Sequence, residues 1–563
     1  MKFVSVILGV AFACAAFGAE AAARENLFAP FKYIVVIYEE NHSFDNLYGL
    51  WGDVEGEPVN GLPYASASKV AQVRQDGTPY KCLLQLDANL ASPPLPASCT
   101  DSGAPQIASA FASAPFKIDD YITPADTTCS PPGGFQLNGV LKGQGVKGGC
   151  TRDLLHRYYS EQYQIDGGKQ DRYVTGSDAV GLTMGYYDTT KIPIYAYLHA
   201  PDAPHYVIAD NFYQGAFGGS FLNHQWFIAA ATPVFANAVN DGGAKDIHSV
   251  LDANGMANAP LYTSPLGKAT KENALAASCN PPAGRPATPK NITCGDYAVN
   301  TIMPFGQPFM PGTPDAKRLP LLTTPNIGDR LSEANVAWAW YSGGWSNADG
   351  DIGAPGWTNG PTAAQGCTDP QAMPKAAWPN CPDQLFQFHH QPFAYFKAYA
   401  PGSEARKTHL RDEAEFLQRA QSGTLLPVSF IKPIGEENEH PGYASQSNGD
   451  SHLIDLLNAI LSGPNGKDTL VIVTYDEFGG QWDHMSPPGS GGHGPHDKWG
   501  PGTRIPAMLI ARSFVQSSVD HTEHDTTSII ATLEHIYGLK PLGDRDAAVP
   551  DLASAVQLGL RGR

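Results

Sequence analysis

Three short stretches carry side chains that could do chemistry. The apolar run Tyr33-Ile34-Val35-Val36-Ile37-Tyr38 ends in Glu39-Glu40-Asn41-His42-Ser43, and the run Thr469-Leu470-Val471-Ile472-Val473-Thr474-Tyr475 ends in Asp476-Glu477. Each run has the length and β-branched content of a strand buried on both faces, as in a parallel sheet. Ligands in open α/β sheets collect beyond the carboxyl ends of such strands. Parallel neighbours would bring both acidic pairs to one edge, where four carboxylates and an amide oxygen repel unless a cation sits among them. A hard metal site follows. Oxygen-rich ligands favour Ca²⁺ or Mg²⁺, with Zn²⁺ or Mn²⁺ as alternatives.

The third stretch is Gly218-Gly219-Ser220-Phe221-Leu222-Asn223-His224. Two glycines permit a tight turn, and the residues after Ser220 carry a helical apolar pattern that stops at Thr232-Pro233. A serine there sits at a helix N-terminus, where free N–H groups and the dipole favour negative charge. Its hydroxyl attacks poorly until a neighbouring metal or base activates it. His156, His389, His390, His440 and His484 could grip an anion or protonate a leaving alcohol. With 17 histidines in the chain, several of them are bystanders.

The elements that must position these groups alternate along the chain. A helix is expected over Asp153–Tyr163, broken at Gly167-Gly168, and short strands at Tyr206–Ala209, Ala337–Tyr341, Leu426–Ile431 and Ile505–Ile510. Asp450-Ser451 reads as the cap of a helix bearing Leu453, Ile454, Leu457, Ile460 and Leu461 on one face. A last helix spans Thr526 to Tyr537, with Gly538 as its stop. The pattern predicts an α/β fold with a central, largely parallel sheet covered by helices on both faces. Residues 50–150 and 235–385 are rich in Gly and Pro and read as loop insertions.

Hydrophobic content of 42% against 16% charged residues describes a folded chain. A net charge of −18 makes nucleic acid a poor partner, because its backbone needs basic patches. Lys2, the apolar stretch Phe3–Phe17 and the small residues to Ala23 read as a secretory signal over residues 1–23, so a periplasmic or secreted location is expected. That stretch is too short for a good membrane span, and no stable membrane insertion is expected once it is removed. Beyond Cys14, eight cysteines form four local couples, Cys82/Cys99, Cys129/Cys150, Cys279/Cys294 and Cys367/Cys381. An even count in an exported chain favours disulfides, and the neighbour pairing is the simplest connectivity.

Taken together, Val36-Ile37-Tyr38-Glu39-Glu40-Asn41-His42-Ser43-Phe44-Asp45, Asp153-Leu154-Leu155-His156, Gly167-Gly168-Lys169-Gln170-Asp171, Gly219-Ser220-Phe221-Leu222-Asn223-His224, Glu439-His440-Pro441 and Thr474-Tyr475-Asp476-Glu477-Phe478-Gly479-Gly480 resemble the bacterial phosphoesterase family. That family groups phospholipases C with secreted acid phosphatases in the alkaline phosphatase superfamily. The resemblance implies an alkaline-phosphatase-like fold and a single catalytic domain over residues 24–563. It implies that Glu40, Asn41, Asp476, Glu477 and Ser220 hold one metal ion, with Ser220 also the nucleophile. His156, His390, His440 and Asn41 would contact the phosphoryl group, with His389 the alternative to its neighbour His390. The implied chemistry is in-line attack by Ser220 and hydrolysis of a phosphoserine, on small phosphorylated substrates.

Phospholipases C of this family commonly carry threonine in a Gly-Pro-Thr setting and a twin-arginine signal. Gly-Gly-Ser, an ordinary signal and Phe388-His389-His390-Gln391-Pro392-Phe393 look more like the acid phosphatase branch. Histidines that grip phosphate are charged at mildly acidic pH, which suits an acidic optimum. Phospholipase C is the alternative activity, and a noncatalytic phosphate-ester binding protein the alternative of another class. Ser220-Phe221-Leu222-Asn223-His224 lacks the proline and arginine of a sulfatase motif. The chain leaves oligomeric state open.

Overall fold

The computed structural model describes residues 27–561 except 75, 86–88, 91–94, 104–105, 132–135, 137–138, 235–319 (within which 249–252, 292–295 and 297–299 are described) and 360–384. The signal over 1–23 and the couples Cys279/Cys294 and Cys367/Cys381 are therefore outside the fully described residues. Eight strands form one sheet: β1 (Tyr33–Glu39), β2 (His205–Ala209), β3 (Trp338–Ser342), β4 (Leu410–Asp412), β5 (Val428–Lys432), β6 (Thr469–Tyr475), β7 (Ala507–Ala511) and β8 (Ser518–Asp520). Their order is β4-β3-β5-β1-β6-β7-β2-β8. β1 lies parallel to β5 and β6, with Ile37 opposite Ile431 and Glu39 opposite Tyr475. β7 runs antiparallel to both its neighbours, so one strand departs from the parallel set. Its side chains are as buried as those of β6, and hydrophobic runs buried on both faces read alike in either direction.

Both faces are covered, and strand alternation says by what. Tyr38 of β1, Trp340 of β3 and Phe430 of β5 point to one face, where all three meet Phe227 of helix α2 (Ser220–Ala229). Tyr341 points to the other and meets Phe416 of α3 (Glu413–Ser422), which packs beside α4 (Gln446–Ser462). The alternation carries past the end of β1. Glu40 falls on the side of Tyr38 and Lys432, whereas Glu39 falls toward α3 and α4.

Two helices begin elsewhere than the residue pattern suggests. Residues 153–157 lie outside any helix or strand, and α1 occupies Tyr158–Ile165. Asp153 turns instead to His156, and no side chain caps this helix. α4 starts at Gln446, capped by the Ser445 hydroxyl accepting from the Asn448 N–H, one turn before Asp450. Asp450 is spent on a tertiary contact, accepting the Ile194 N–H at 2.7 Å. Helix α5 (Thr527–Tyr537) stops at Gly538 with φ of 62°, as its sequence requires, and a further helix, α6 (Ala553–Arg561), follows it.

Residues 50–150 contain only short two-stranded ladders, 3₁₀ turns and one four-residue helix among the described residues. Disulfides Cys82–Cys99 and Cys129–Cys150 close loops there, as the neighbour pairing predicts.

Candidate active site

β1 and β6 pair to their last residues, so Glu40-Asn41 and Asp476-Glu477 leave the sheet side by side. The chain must turn sharply at both points. Asn41 has φ of 60°, and its N–H donates to Asp476 Oδ1 at 3.1 Å. Gly479, also at positive φ, donates its N–H to Glu477 Oε2 at 2.6 Å; a Cβ there would stand 2.3 Å from the Asn41 carbonyl oxygen. Two tight turns thus lock against each other, tying the acidic pairs together by backbone contacts.

Ser220 opens α2, and its hydroxyl donates to Glu40 Oε2 at 3.5 Å. The turn before it is held by Glu161 of α1, whose carboxylate accepts the Gly218 N–H at 2.5 Å, the Gln214 amide at 2.9 Å and both Thr503 donors at 2.6 and 2.8 Å. The structure therefore brings Glu40, Asn41, Ser220, Asp476 and Glu477 into one buried cluster. Asn41 Oδ1, Asp476 Oδ2 and Glu477 Oε1 are buried and accept no hydrogen bond. Bare oxygens beside three carboxylates are what a hard divalent cation takes up, so these residues fit such an ion.

The histidines divide. His390 Nε2 lies 3.0 Å from Glu40 Oε1, and His440 Nε2 lies 4.0 Å from Glu40 Oε2. His156 Nε2 faces Glu477 Oε1 at 3.5 Å, and the His156 and His440 rings are 5.9 Å apart. His389 sits one step back, edge-on to His390 and His224, so His390 is the one that reaches the carboxylates. His484 belongs elsewhere, paired with Asp45 at 2.6 Å beside Asp483 and Arg504. His440 has a defined tautomer. Its Nδ1 donates to the Pro441 carbonyl at 2.6 Å, so Nε2 accepts from the Asn41 amide at 3.0 Å.

Burial, reinforced by the Glu40 charge, pushes Asp476 up to about 7, and burial raises Glu477 against the pull of His156. Glu40 goes the other way: burial opposes its ionisation, but His390 and Lys432 together hold it well below the carboxylate range. Burial would lower His156, yet Glu477 and Asp153 raise it to about 10. His389, His390 and His440 are lowered chiefly by burial, His390 to about 4. Only His156 of the four is thus held as a cation by the protein itself.

Three residues at the site escape a reading by residue type. Lys432, at the end of β5, pairs with Glu40 from a fully buried position. A charged residue closing an apolar run, as on β1 and β6, is the signal that could have found it. His224 donates Nδ1 to the Ser220 carbonyl at 2.8 Å and stacks on His390 at 5.1 Å; its i+4 spacing from Ser220 was visible. Glu161 had no sequence signal, because its partners come from residues 214–218 and 503.

The serine and the carboxylates thus stand beyond the carboxyl ends of the central strands, where ligands collect in open α/β sheets. Residues 31–540 match the Phosphoesterase family, and the chain belongs to that family. Among curated relatives, non-specific phospholipase C6 of Arabidopsis thaliana is 26% identical over 162 residues, covering 24% of this chain and 31% of that protein. Phospholipase C A of Mycobacterium tuberculosis is 24% identical over 453 residues, covering 75% of this chain and 66% of its own length. The chain thus spans under a third of the plant relative and about two thirds of the bacterial one. A solved alkaline phosphatase superfamily protein from Vibrio parahaemolyticus aligns at 16% identity with a TM-score of 0.21, over 40% of this chain and 50% of that one. No helix among the described residues is long and apolar enough to cross a membrane.

Proposed function

We propose that this chain is a metal-dependent phosphoric ester hydrolase, an exported acid phosphatase acting on small phosphomonoesters, with residues 24–563 as one catalytic domain. The observation that carries the reading is Ser220: a hydroxyl at the start of a ten-residue helix, 3.5 Å from Glu40 and among buried oxygens that accept no hydrogen bond. Glu40, Asn41, Ser220, Asp476 and Glu477 would hold one divalent ion, whose chemistry is to favour the ionised serine and to neutralise phosphoryl charge.

The residues supply the rest. Ser220 Oγ, its proton given up to solvent, attacks phosphorus in line; the bond from phosphorus to the ester oxygen breaks on the far side and that oxygen takes a proton from water. A second water molecule then cleaves the phosphoserine, releasing phosphate and restoring the Ser220 hydroxyl. Free N–H groups at the start of α2 face the charge that builds beside Ser220. His156, as a cation, pairs with a phosphoryl oxygen, and the Pro441 carbonyl fixes the tautomer of His440, whose Nε2 accepts from the Asn41 amide at the edge of the phosphoryl site. His390, lowered to about 4, is neutral at neutral pH and contributes a ring nitrogen beside Glu40.

The relatives' names give specific support to a second reading, phospholipase C. Both readings use the same centre and differ in the phosphorus they meet, a monoester in one and a diester that keeps its head group in the other. Purified protein is assayed on an aryl phosphate and on phosphatidylcholine, with and without chelator, beside Ser220→Ala. The expectation is monoester hydrolysis, lost on chelation and reduced about a thousandfold or more in Ser220→Ala. Undiminished activity in that variant refutes the mechanism. Diester cleavage without monoester hydrolysis selects the phospholipase.

A further inference from the structure

Three strands end at the site, and their charges differ in sign. β1 delivers Glu40, β6 delivers Asp476 and Glu477, and β5, on the other side of β1, delivers Lys432. Lys432 is fully buried. Its ammonium donates to the Glu39 carbonyl oxygen at 3.1 Å, pairs with Glu40 Oε1, and lies 5.1 Å from the centre of the Tyr38 ring. His390 Nε2 stands against the same oxygen at 3.0 Å. The two oxygens of Glu40 therefore have different duties: Oε1 faces Lys432 and His390, and Oε2 faces Ser220 at 3.5 Å and His440 at 4.0 Å.

The charge follows from the residue types. Glu40, Asp476, Glu477 and Asp153, which pairs with His156, bring four negative charges, and one divalent ion with the His156 cation leaves one of them uncancelled. A dianionic phosphate ester meeting that surplus in a buried, weakly screened site is repelled. Lys432 cancels the surplus from behind Glu40, where its partners are the β1 backbone and ring, so it takes no room from substrate. Resting on the metal-dependent reading above, we propose that Lys432 is the charge-balancing residue of this centre. It turns one Glu40 oxygen toward Ser220 and lets the loaded site accept a dianionic phosphoryl group. It touches no reacting atom and acts through Glu40, as a positioning residue.

Lys432→Met and Lys432→Arg separate this role from a structural one. Ca²⁺ binding is measured by titration calorimetry, and inorganic phosphate is measured as a competitive inhibitor, beside kcat and KM and a thermal melt. Lys432→Met is expected to bind Ca²⁺ at least as tightly as wild type, since a repelling cation is gone, and phosphate about tenfold or more weakly. KM rises more than kcat falls. Lys432→Arg keeps the charge and recovers most of the phosphate affinity. A folded Lys432→Met with phosphate affinity within about twofold of wild type overturns the proposal. Ca²⁺ affinity that falls together with phosphate affinity also overturns it, because the lysine then only shapes Glu40. If Lys432→Met does not fold, Lys432→Gln carries the same expectations; if neither folds, Lys432 is a folding residue and the proposal fails. A wild-type protein inert toward every phosphoester overturns the underlying reading as well, whereas an active wild type with an indifferent variant overturns this step alone.

Discussion

Glu161 shows how much of this centre rests on one side chain outside it. Its carboxylate accepts four donors, one of them the Gly218 N–H two residues before Ser220. Each oxygen accepts two of them, so Glu161→Gln turns an amide N–H₂ toward a pair of donors, at a cost of about 1–3 kcal/mol, and lets the serine turn relax. We expect kcat to fall and the melting temperature to drop. The pH dependence has a definite sign. Burial outweighs the four donors and raises this carboxyl from 4.5 to about 7. A raised acid binds more protons folded than unfolded between those values, so its stabilising contribution is full below 4.5 and is lost as pH rises through 7. The glutamine variant lacks that slope. The melting-temperature gap between wild type and Glu161→Gln should therefore be larger near pH 5 than near pH 8, and a gap that widens with pH contradicts this account.

The turns after β1 and β6 work as one element. Gly479 has φ of +63°, and its would-be Cβ meets the Asn41 carbonyl oxygen at 2.3 Å. Gly479→Ala must move Asn41 or strain the turn, at about 1–3 kcal/mol. Since Asn41 places Glu40, Asp476 and His440 relative to one another, the variant is expected to stay folded by circular dichroism. Divalent-ion affinity and kcat are expected to fall together. Loss of stability with an intact metal site would show that the two turns are independent. This element was legible only in part. The apolar runs of β1 and β6 and the acidic pairs that end them follow from residue type and period, but the interlock depends on register, which period alone does not set.

Across the molecule, Arg504 gathers the segments that follow these strands. Fully buried, it donates to Asp483 at 3.0 and 3.2 Å, to Asp45 at 3.0 Å, and to the Asn60 and Asp210 carbonyls at 2.7 Å. Asp45 and Asp483 lie just downstream of Asn41 and Glu477, so one guanidinium braces both arms of the site. Arg504→Met leaves buried Asp483 without its cation and Asp45 with His484 alone, and we expect a loss of about 3–5 kcal/mol in a denaturant titration. Arg504→Lys should recover little, because an ammonium cannot span the fork of partners. A change below about 1 kcal/mol would mean that the network is not a brace.

The α/β class, both central strands, the Ser220 helix and two of the disulfide couples were determined by local composition and period, because buried parallel strands and helix starts impose patterns on neighbouring residues. Tertiary structure decided which histidine of the 389/390 pair reaches Glu40, where α1 and α4 begin, that β7 runs antiparallel, and that Lys432 and Glu161 belong to the centre. Each of these depends on a partner far away in the chain: a carbonyl, a carboxylate or a strand whose position no local period encodes. Charge balance is the clearest case. Glu40, Asp476 and Glu477 announce a cation from their spacing beyond two strands, but the lysine that offsets them enters from a third strand, and only the sheet order β5-β1-β6 brings it there.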